Sequence, residues 1–265
     1  MCDIAHGRTV AAQAVRRTRT HRPHGHFPGA HDTICRVAVR NVIFDFYGTL
    51  VHAAHPTPTL TELLSMLGVD VTPEVAERWH IERLDGVLHE EASASREAYE
   101  AWEEERWGSM LADCGVEGAR AENLMNAIRV QVRGFHVAAF PETAAVLDEL
   151  RARGCRIGIC SNWHWDLDTY LDQADIRDRV DAAVTSARVG ARKHHPLIYE
   201  RTLETMDADP AESLFVGDSW TPDVIGPLDN GFHGAVHIDR QGWGPPELPP
   251  GAVRTSDLTG VLARI

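Results

Sequence analysis

The sequence predicts an α/β fold, a doubly wound parallel sheet into which an all-helical segment is inserted after the first strand. Three observations predict it. Short apolar runs recur along the chain, and each ends in a polar turn. Helical stretches separate these runs, and one long helix-rich stretch interrupts the series near its start. Such alternation marks parallel strands that are buried on both faces by crossover helices.

Residues 1–36 read as a disordered tail, because Arg, His, Thr, Pro and Gly dominate and no helical or strand period holds. From Val37 a mostly apolar run, ending Val-Ile-Phe, leads to Asp45 and the turn-prone Gly48, which predicts a buried strand with a loop at its carboxyl end. Comparable strands are predicted at 156–160, 182–185, 214–216 and 235–238. One intervening helix can be read closely. Pro141 suits its first position, Phe140, Ala144, Leu147 and Leu150 form an apolar stripe, and Gly154 stops it. Residues 52–136 carry helical patterns at Leu60, Leu63, Leu64 and Leu67, at Val75, Trp79 and Ile81, in the acidic stretch 90–106, and at 124–132. They predict a helical cap, with residues 37–51 and 137–265 forming the α/β core.

Composition narrows the function. The hydrophobic fraction of 43% and charged fraction of 25% are those of a globular protein, and no apolar run approaches the roughly 20 residues that span a bilayer, so a cytoplasmic protein without a membrane partner is expected. The first 40 residues hold seven Arg against Asp3 and Asp32, so the rest of the chain carries more than the whole net charge of −13. A body that acidic repels a phosphate backbone and speaks against nucleic acid as a partner. The five cysteines form no CxxC pair and have no His partners at zinc-finger spacing, which predicts reduced thiols. Whether the chain is a monomer or a homodimer stays open.

In an open α/β sheet the ligand lies beyond the carboxyl ends of the strands. The first strand is followed there by Asp45-Phe46-Tyr47-Gly48-Thr49, the second by Ser161-Asn162, and the fourth by Gly217-Asp218-Ser219 with Asp223 five residues beyond Asp218; Lys193 lies near the third. Each signal taken singly also suits a turn. Together they supply a carboxylate to attack, a hydroxyl and an ammonium to hold an anion, and further carboxylates for Mg²⁺. Lys193 is the sole lysine in a chain whose other 25 basic residues are arginine, and a compact ammonium is not replaced by a planar guanidinium.

The ordered set Val-Ile-Phe-Asp-Phe-Tyr-Gly-Thr-Leu, Cys-Ser-Asn, Lys-His-His-Pro-Leu-Ile-Tyr and Phe-Val-Gly-Asp-Ser-Trp-Thr-Pro-Asp-Val resembles the four motifs of the haloacid dehalogenase-like hydrolases. The long gap between Asp45 and Ser161 resembles the subgroup whose helical cap follows the first motif. The resemblance implies that Asp45 is a covalent nucleophile, that Ser161 and Lys193 hold a small anionic substrate, and that Asn162 orients it. Tyr47, Thr49, Trp163 and His164 complete the residues expected around the substrate. Asp45, the Tyr47 carbonyl and Asp218 would bind Mg²⁺, while Asp223 would act through water or through Lys193.

Two features pull the reading apart. Phosphatases of this family carry a second aspartate two residues after the nucleophile, as a general acid; here Tyr47 stands there, as it does in 2-haloacid dehalogenases. Those dehalogenases need no metal and lack the Gly-Asp pair, which this chain has at Gly217-Asp218. Their halide-binding Arg follows a cap Trp, whereas Trp79 is followed by His80 with Arg78 and Arg83 nearby. A Schiff-base mechanism is excluded, since the cap has no lysine. The sequence therefore predicts Mg²⁺-dependent hydrolysis of a small phosphorylated metabolite. Carbon–halogen hydrolysis is the alternative, and a catalytically weak binding protein is a further one. His164 is the candidate substitute acid.

Overall fold

The computed structural model describes residues 38–265; the tail read at 1–36, Val37 and the cysteines Cys2 and Cys35 lie outside it. In chain order the strands are β1 (Asn41–Phe44), β2 (Val51–Ala53), β3 (Val137–Ala139), β4 (Arg156–Ser161), β5 (Ala182–Thr185), β6 (Ser213–Gly217), β7 (Gly234–Ile238) and β8 (Ala252–Thr255). Six form one sheet in the order β5-β4-β1-β6-β7-β8, and every pairing in it is parallel. The doubly wound α/β architecture is thus present. β1 lies at its centre, with Phe44 opposite Ile159 on one side and Val216 on the other.

Burial on both faces explains the unbroken apolar strands. Val42 and Phe44 face one core with Leu147, Leu150, Ile157, Ile159 and Val216, while Ile43 faces the opposite core with Cys160, Ile198, Tyr199 and Phe215. The strand begins later than the apolar run suggested: Ala38–Arg40 belongs to no strand, although Arg40 N–H donates to the Glu212 carbonyl and its carbonyl accepts from Arg156 N–H. Cys114, Cys155 and Cys160 are free thiols; the latter two are buried against or within β4. Among the described residues no helix is long and apolar enough to cross a membrane.

Between β2 and β3 run four helices, α1 (Leu60–Met66), α2 (Pro73–Arg78), α3 (Arg96–Asp113) and α4 (Gly118–Arg133). Each of the first three starts on a hydroxyl cap, from Thr59, Thr72 and Ser95, whose oxygen accepts a backbone N–H of the first turn. Their inner faces make a separate core of Leu64, Val69, Val75, Met110, Leu111, Val116, Leu124 and Ile128. Two of the apolar positions read from the sequence lie outside it: Leu67 and Ile81 are exposed, because Leu67 is the C-cap of α1 and Ile81 opens a separate 3-10 turn, Ile81–Leu84, that buries no residue. The acidic face of α3 is spent largely on α4, where Glu104 receives two hydrogen bonds from Arg129 and Glu100 pairs with Arg133. The segment is tied off by the antiparallel pair β2 and β3, which period alone did not reveal because each strand is only three residues long.

After β3, helix α5 spans Thr143–Ala152 and buries Val146, Leu147 and Leu150 on the sheet. Pro141 precedes it by two residues instead of opening it, since Glu142 is the cap. Gly154, with φ of 84°, ends the turn after it. Leu147→Ala should lower stability by about 2 to 5 kcal/mol, because it opens a cavity in a closed core, whereas exposed Leu67→Ala should cost under about 1 kcal/mol. Urea unfolding of both variants checks the pair; equal losses would contradict the packing described.

Candidate active site

The carboxyl ends of β1, β4 and β6 converge on one buried cluster. Asp45 follows β1 directly, its amide donating to the Val216 carbonyl at 2.8 Å, which fixes the turn to β6. The chain then doubles back: Gly48 N–H donates to the Val51 carbonyl and Leu50 N–H to the Phe46 carbonyl. Gly48 is required here twice over. Its φ is 86°, and a Cβ would fall inside the contact radius of Asp218 Oδ2.

Lys193 is the centre of the cluster. Its ammonium is almost wholly buried and donates to Asp45 Oδ1 and to Asp223 Oδ1, both at 2.6 Å. Ser161 Oγ also donates to Asp45 Oδ1, at 3.0 Å. The second oxygen of Asp223 accepts the Ser219 N–H at 2.9 Å, and Thr49 donates to Asp218 Oδ1 at 3.1 Å. Asp45, Asp218 and Asp223 each offer a carboxylate oxygen within 4.8 Å of the others. Burial, then repulsion from Asp45, raises the Asp218 carboxyl above its ordinary range; burial also raises Asp223, with Lys193 opposing and the other two carboxylates reinforcing the rise. For Lys193 burial alone would lower the pKa, but Asp223 and Asp45 outweigh it and hold the ammonium charged.

The position of Lys193 is itself built. Asn162 accepts the Lys193 N–H at 2.6 Å and donates to the Lys193 carbonyl at 3.0 Å, while its amide also reaches Asp85 at 3.1 Å. The Asn162 side chain therefore braces the Lys193 peptide, where the sequence suggested contact with substrate. From the helical segment, Gly86 N–H donates to the Lys193 carbonyl, the Val87 carbonyl accepts the Arg192 N–H, Leu88 pairs with Ala191, and His89 N–H reaches Gly190. Gly190 has no room for a Cβ against the Glu90 backbone.

Tyr47 is 41% exposed, and its ring stacks on Trp163 at 5.8 Å and lies 5.6 Å from Phe135. Trp163 also packs edge-on against Phe46 and Tyr170. His164 turns to Glu103, 3.3 Å from its carboxylate, in a cleft of about 490 Å³ between α3 and the helix at Leu167–Gln173. It is thus engaged away from the carboxylates. Arg78 pairs with Asp113 and Arg83 with Glu77, so neither cap arginine reaches the cluster. His80 is paired with Glu82 at the surface.

Two supporting residues escaped the sequence reading. Arg240, after β7, donates to the Thr49 carbonyl at 3.0 Å, lies 2.8 Å from Glu142 and covers the Phe140 ring, pinning the turn after Asp45 from outside. His237 Nε2 lies 3.0 Å from the Asp218 carbonyl. A histidine inside the otherwise apolar β7 is a readable signal; nothing in the sequence singled out Arg240.

A family model described as haloacid dehalogenase-like hydrolase matches residues 39–229. The chain belongs to that family. It is 32% identical over 97 residues to a glyceraldehyde 3-phosphate phosphatase of Methanothermobacter thermautotrophicus, covering 35% of this chain and 42% of the relative. It is 31% identical over 173 residues to a phosphoserine phosphatase of Thermus thermophilus, covering 63% of this chain and 68% of the relative. The chain spans about two fifths of the length of the first curated relatives it matches. Among solved structures, a 2-haloacid dehalogenase from Pseudomonas syringae pv. Tomato superposes with a TM-score of 0.59 at 22% identity, over 85% of this chain and 99% of that one.

Removing the shared counter-ion tests the electrostatics. Lys193→Met leaves two buried carboxylates unpaired and should cost about 3 to 5 kcal/mol at neutral pH. The folded variant then takes up protons at a higher pH than the unfolded chain, so its stability should rise as pH falls from 7 toward 5. A pH-independent loss on urea unfolding would contradict this.

Proposed function

We propose that the protein is a Mg²⁺-dependent phosphohydrolase that passes the phosphoryl group of a small metabolite to Asp45 and then to water. The observation that carries the reading is the buried cluster around Lys193: three carboxylates against one ammonium leave two negative charges uncompensated, which is the charge of a divalent cation. The donors are hard oxygens, and Gly48 keeps the space beside Asp218 free of a side chain. Asp45, Asp218 and the Tyr47 carbonyl would hold the ion, with Asp223 acting through water or through Lys193. When bound, Mg²⁺ withdraws charge from the phosphoryl oxygens.

The rest follows from the chain's own residues. Ser161 and Lys193 both bind Oδ1 of Asp45, which leaves Oδ2 to serve as the attacking atom. Oδ2 forms the bond to phosphorus as the leaving oxygen departs; water then takes the phosphoryl group and restores the carboxylate. Ser161 and Lys193 hold the anion while Thr49 orients Asp218. The intact arrangement speaks against a binding protein without turnover. Carbon–halogen hydrolysis is the second reading, favoured by Tyr47, which offers no carboxylic acid to a leaving oxygen.

Asp45→Asn should lower turnover by more than about a hundredfold with the fold retained, since loss of a covalent step costs far more than loss of one contact. EDTA should abolish hydrolysis and Mg²⁺ restore it; undiminished turnover of a haloacid after chelation would favour the second reading instead. Without a carboxylic acid at position 47, a general acid worth roughly 10² to 10⁴ in rate is missing, so aryl and acyl phosphates should be cleaved far faster than alkyl phosphates. Tyr47→Asp should narrow that gap. Equal rates on both classes in the unmodified enzyme would point to another proton donor.

A further inference from the structure

Beside the cluster lies a charged side chain to which the proposed reaction gives no task. Arg192 precedes Lys193, and its guanidinium is only 9% exposed. Among the described residues no acceptor lies within hydrogen-bond distance of it. Asp85 approaches to 3.7 Å, and Arg192 Nε is buried without a partner. Nε–H is thus a buried donor left idle, in a fork whose Nη2 makes only a long ion pair with Asp85.

A second orphan sits next to it on the segment that pairs with the Arg192 backbone. The His89 ring is buried and stacks on Trp102 at 4.8 Å, with Nδ1 3.1 Å from Ser93 Oγ; its Nε2 has no partner. Burial, then the charge of Arg192, holds His89 down to about 4, so near neutrality the ring is uncharged. If Ser93 donates to Nδ1, Nε2 carries the proton and is a donor lacking an acceptor. With that tautomer both orphans are donors, and both belong to the segments that pair through Leu88 and Ala191, where the helical insertion meets the core.

Charged groups of both signs surround them. Half-buried Arg106, stacked over Trp102 at 5.1 Å, is pushed toward neutrality first by burial and then by Arg192, so the two guanidinium groups repel. The nearby carboxylates are Asp85 and Glu103. Asp85 is raised above its ordinary range by burial in spite of Arg192, and Glu103 already accepts from Tyr99 and faces His164. A chain of contacts links them to the carboxylate cluster: Asp85, 3.7 Å from Arg192, accepts from the Asn162 amide, and the neighbouring Ser161 donates to Asp45.

We infer that Arg192, together with His89 Nε2, binds a second anionic group of the substrate, a carboxylate carried away from the reacting phosphoryl group. The inference rests on the proposed phosphohydrolase reading of the Asp45 site for the identity of the reacting group. A carboxylate fits because its two oxygens match the guanidinium fork, and the histidine N–H adds a third donor without adding charge. The substrate class is then a phosphorylated carboxylic acid, and neutral alkyl phosphates are poor ligands because they leave both orphans unpaired.

Binding to the Asp45→Asn protein in the presence of Mg²⁺ tests this by calorimetry. The probes are phosphoglycolate and its homologue one methylene longer, each compared with the alkyl phosphate of equal length that lacks the carboxylate. The better carboxylate should bind at least about 30-fold more tightly than its neutral counterpart, since a charge-assisted fork pair is at stake. Adding Arg192→Met should collapse the ratio to near unity with alkyl phosphate affinity little changed, and Arg192→Lys should keep part of it. Equal affinity within both pairs overturns the inference without any Arg192 variant, so a folding defect in one cannot shelter it. An equal loss for both ligand classes in Arg192→Met also overturns it, because a structural role alone would produce that. Phosphate release from 4-nitrophenyl phosphate and from both carboxylated probes by protein with Asp45 intact is followed in parallel. A carboxylate preference without turnover overturns the phosphohydrolase reading and keeps the subsite, whereas turnover without the preference does the reverse.

Discussion

One buried ammonium organises the end of the sheet. Lys193 touches Asp45 from β1 and Asp223 from the turn after β6, and its own peptide is gripped by Asn162 from the end of β4. Desolvating a lysine is costly, and the cost is offset here only because two carboxylates meet it at 2.6 Å in a place closed to water. A guanidinium would neither fit the same gap nor place one charge between two acids. That explains why a chain with arginine at every other basic position keeps its single lysine at this point.

Holding that ammonium involves the helical segment as well as the core. Hydrogen bonds from Gly86, Val87 and His89 run to the backbone of Gly190, Arg192 and Lys193, in register with the Leu88–Ala191 bridge. The segment between β2 and β3 has its own apolar core and reaches the site through this strap and through Asp85. Both glycines that bound the contact have positive φ, and each sits where a Cβ would press on the opposite side. Packing therefore sets the spacing between the helical segment and the backbone that carries Lys193.

Much of this was legible beforehand because it is written in local pattern. A strand buried on both faces needs a mostly apolar run, and β1, β4, β5, β6 and β7 each have one of three or four residues. The polar residues after three of them were sufficient to predict that Asp45, Ser161, Lys193, Asp218 and Asp223 would be neighbours. What stayed hidden depends on long-range contact. β2 and β3 are too short to show a period, and β8 is only half-buried and so lacks an apolar signature. The family resemblance implies that Asn162 orients substrate, while its bracing of Lys193 depends on a backbone 31 residues away. His164 looked available as an acid until Glu103, on a helix of the insertion, was found beside it. Arg192 and His89 carry no sequence signal, since a missing partner is visible only in three dimensions.

The account depends on Asp45 Oδ2 bonding to the substrate. Quenching the working enzyme with hydroxylamine during hydrolysis of an aryl phosphate converts an aspartyl phosphate into a hydroxamate that peptide mass spectrometry can locate. The hydroxamate should appear at Asp45 and nowhere else, and only when substrate and Mg²⁺ are both present. Release of phosphate with no hydroxamate, or a hydroxamate on Asp218 or Asp223, would contradict the account.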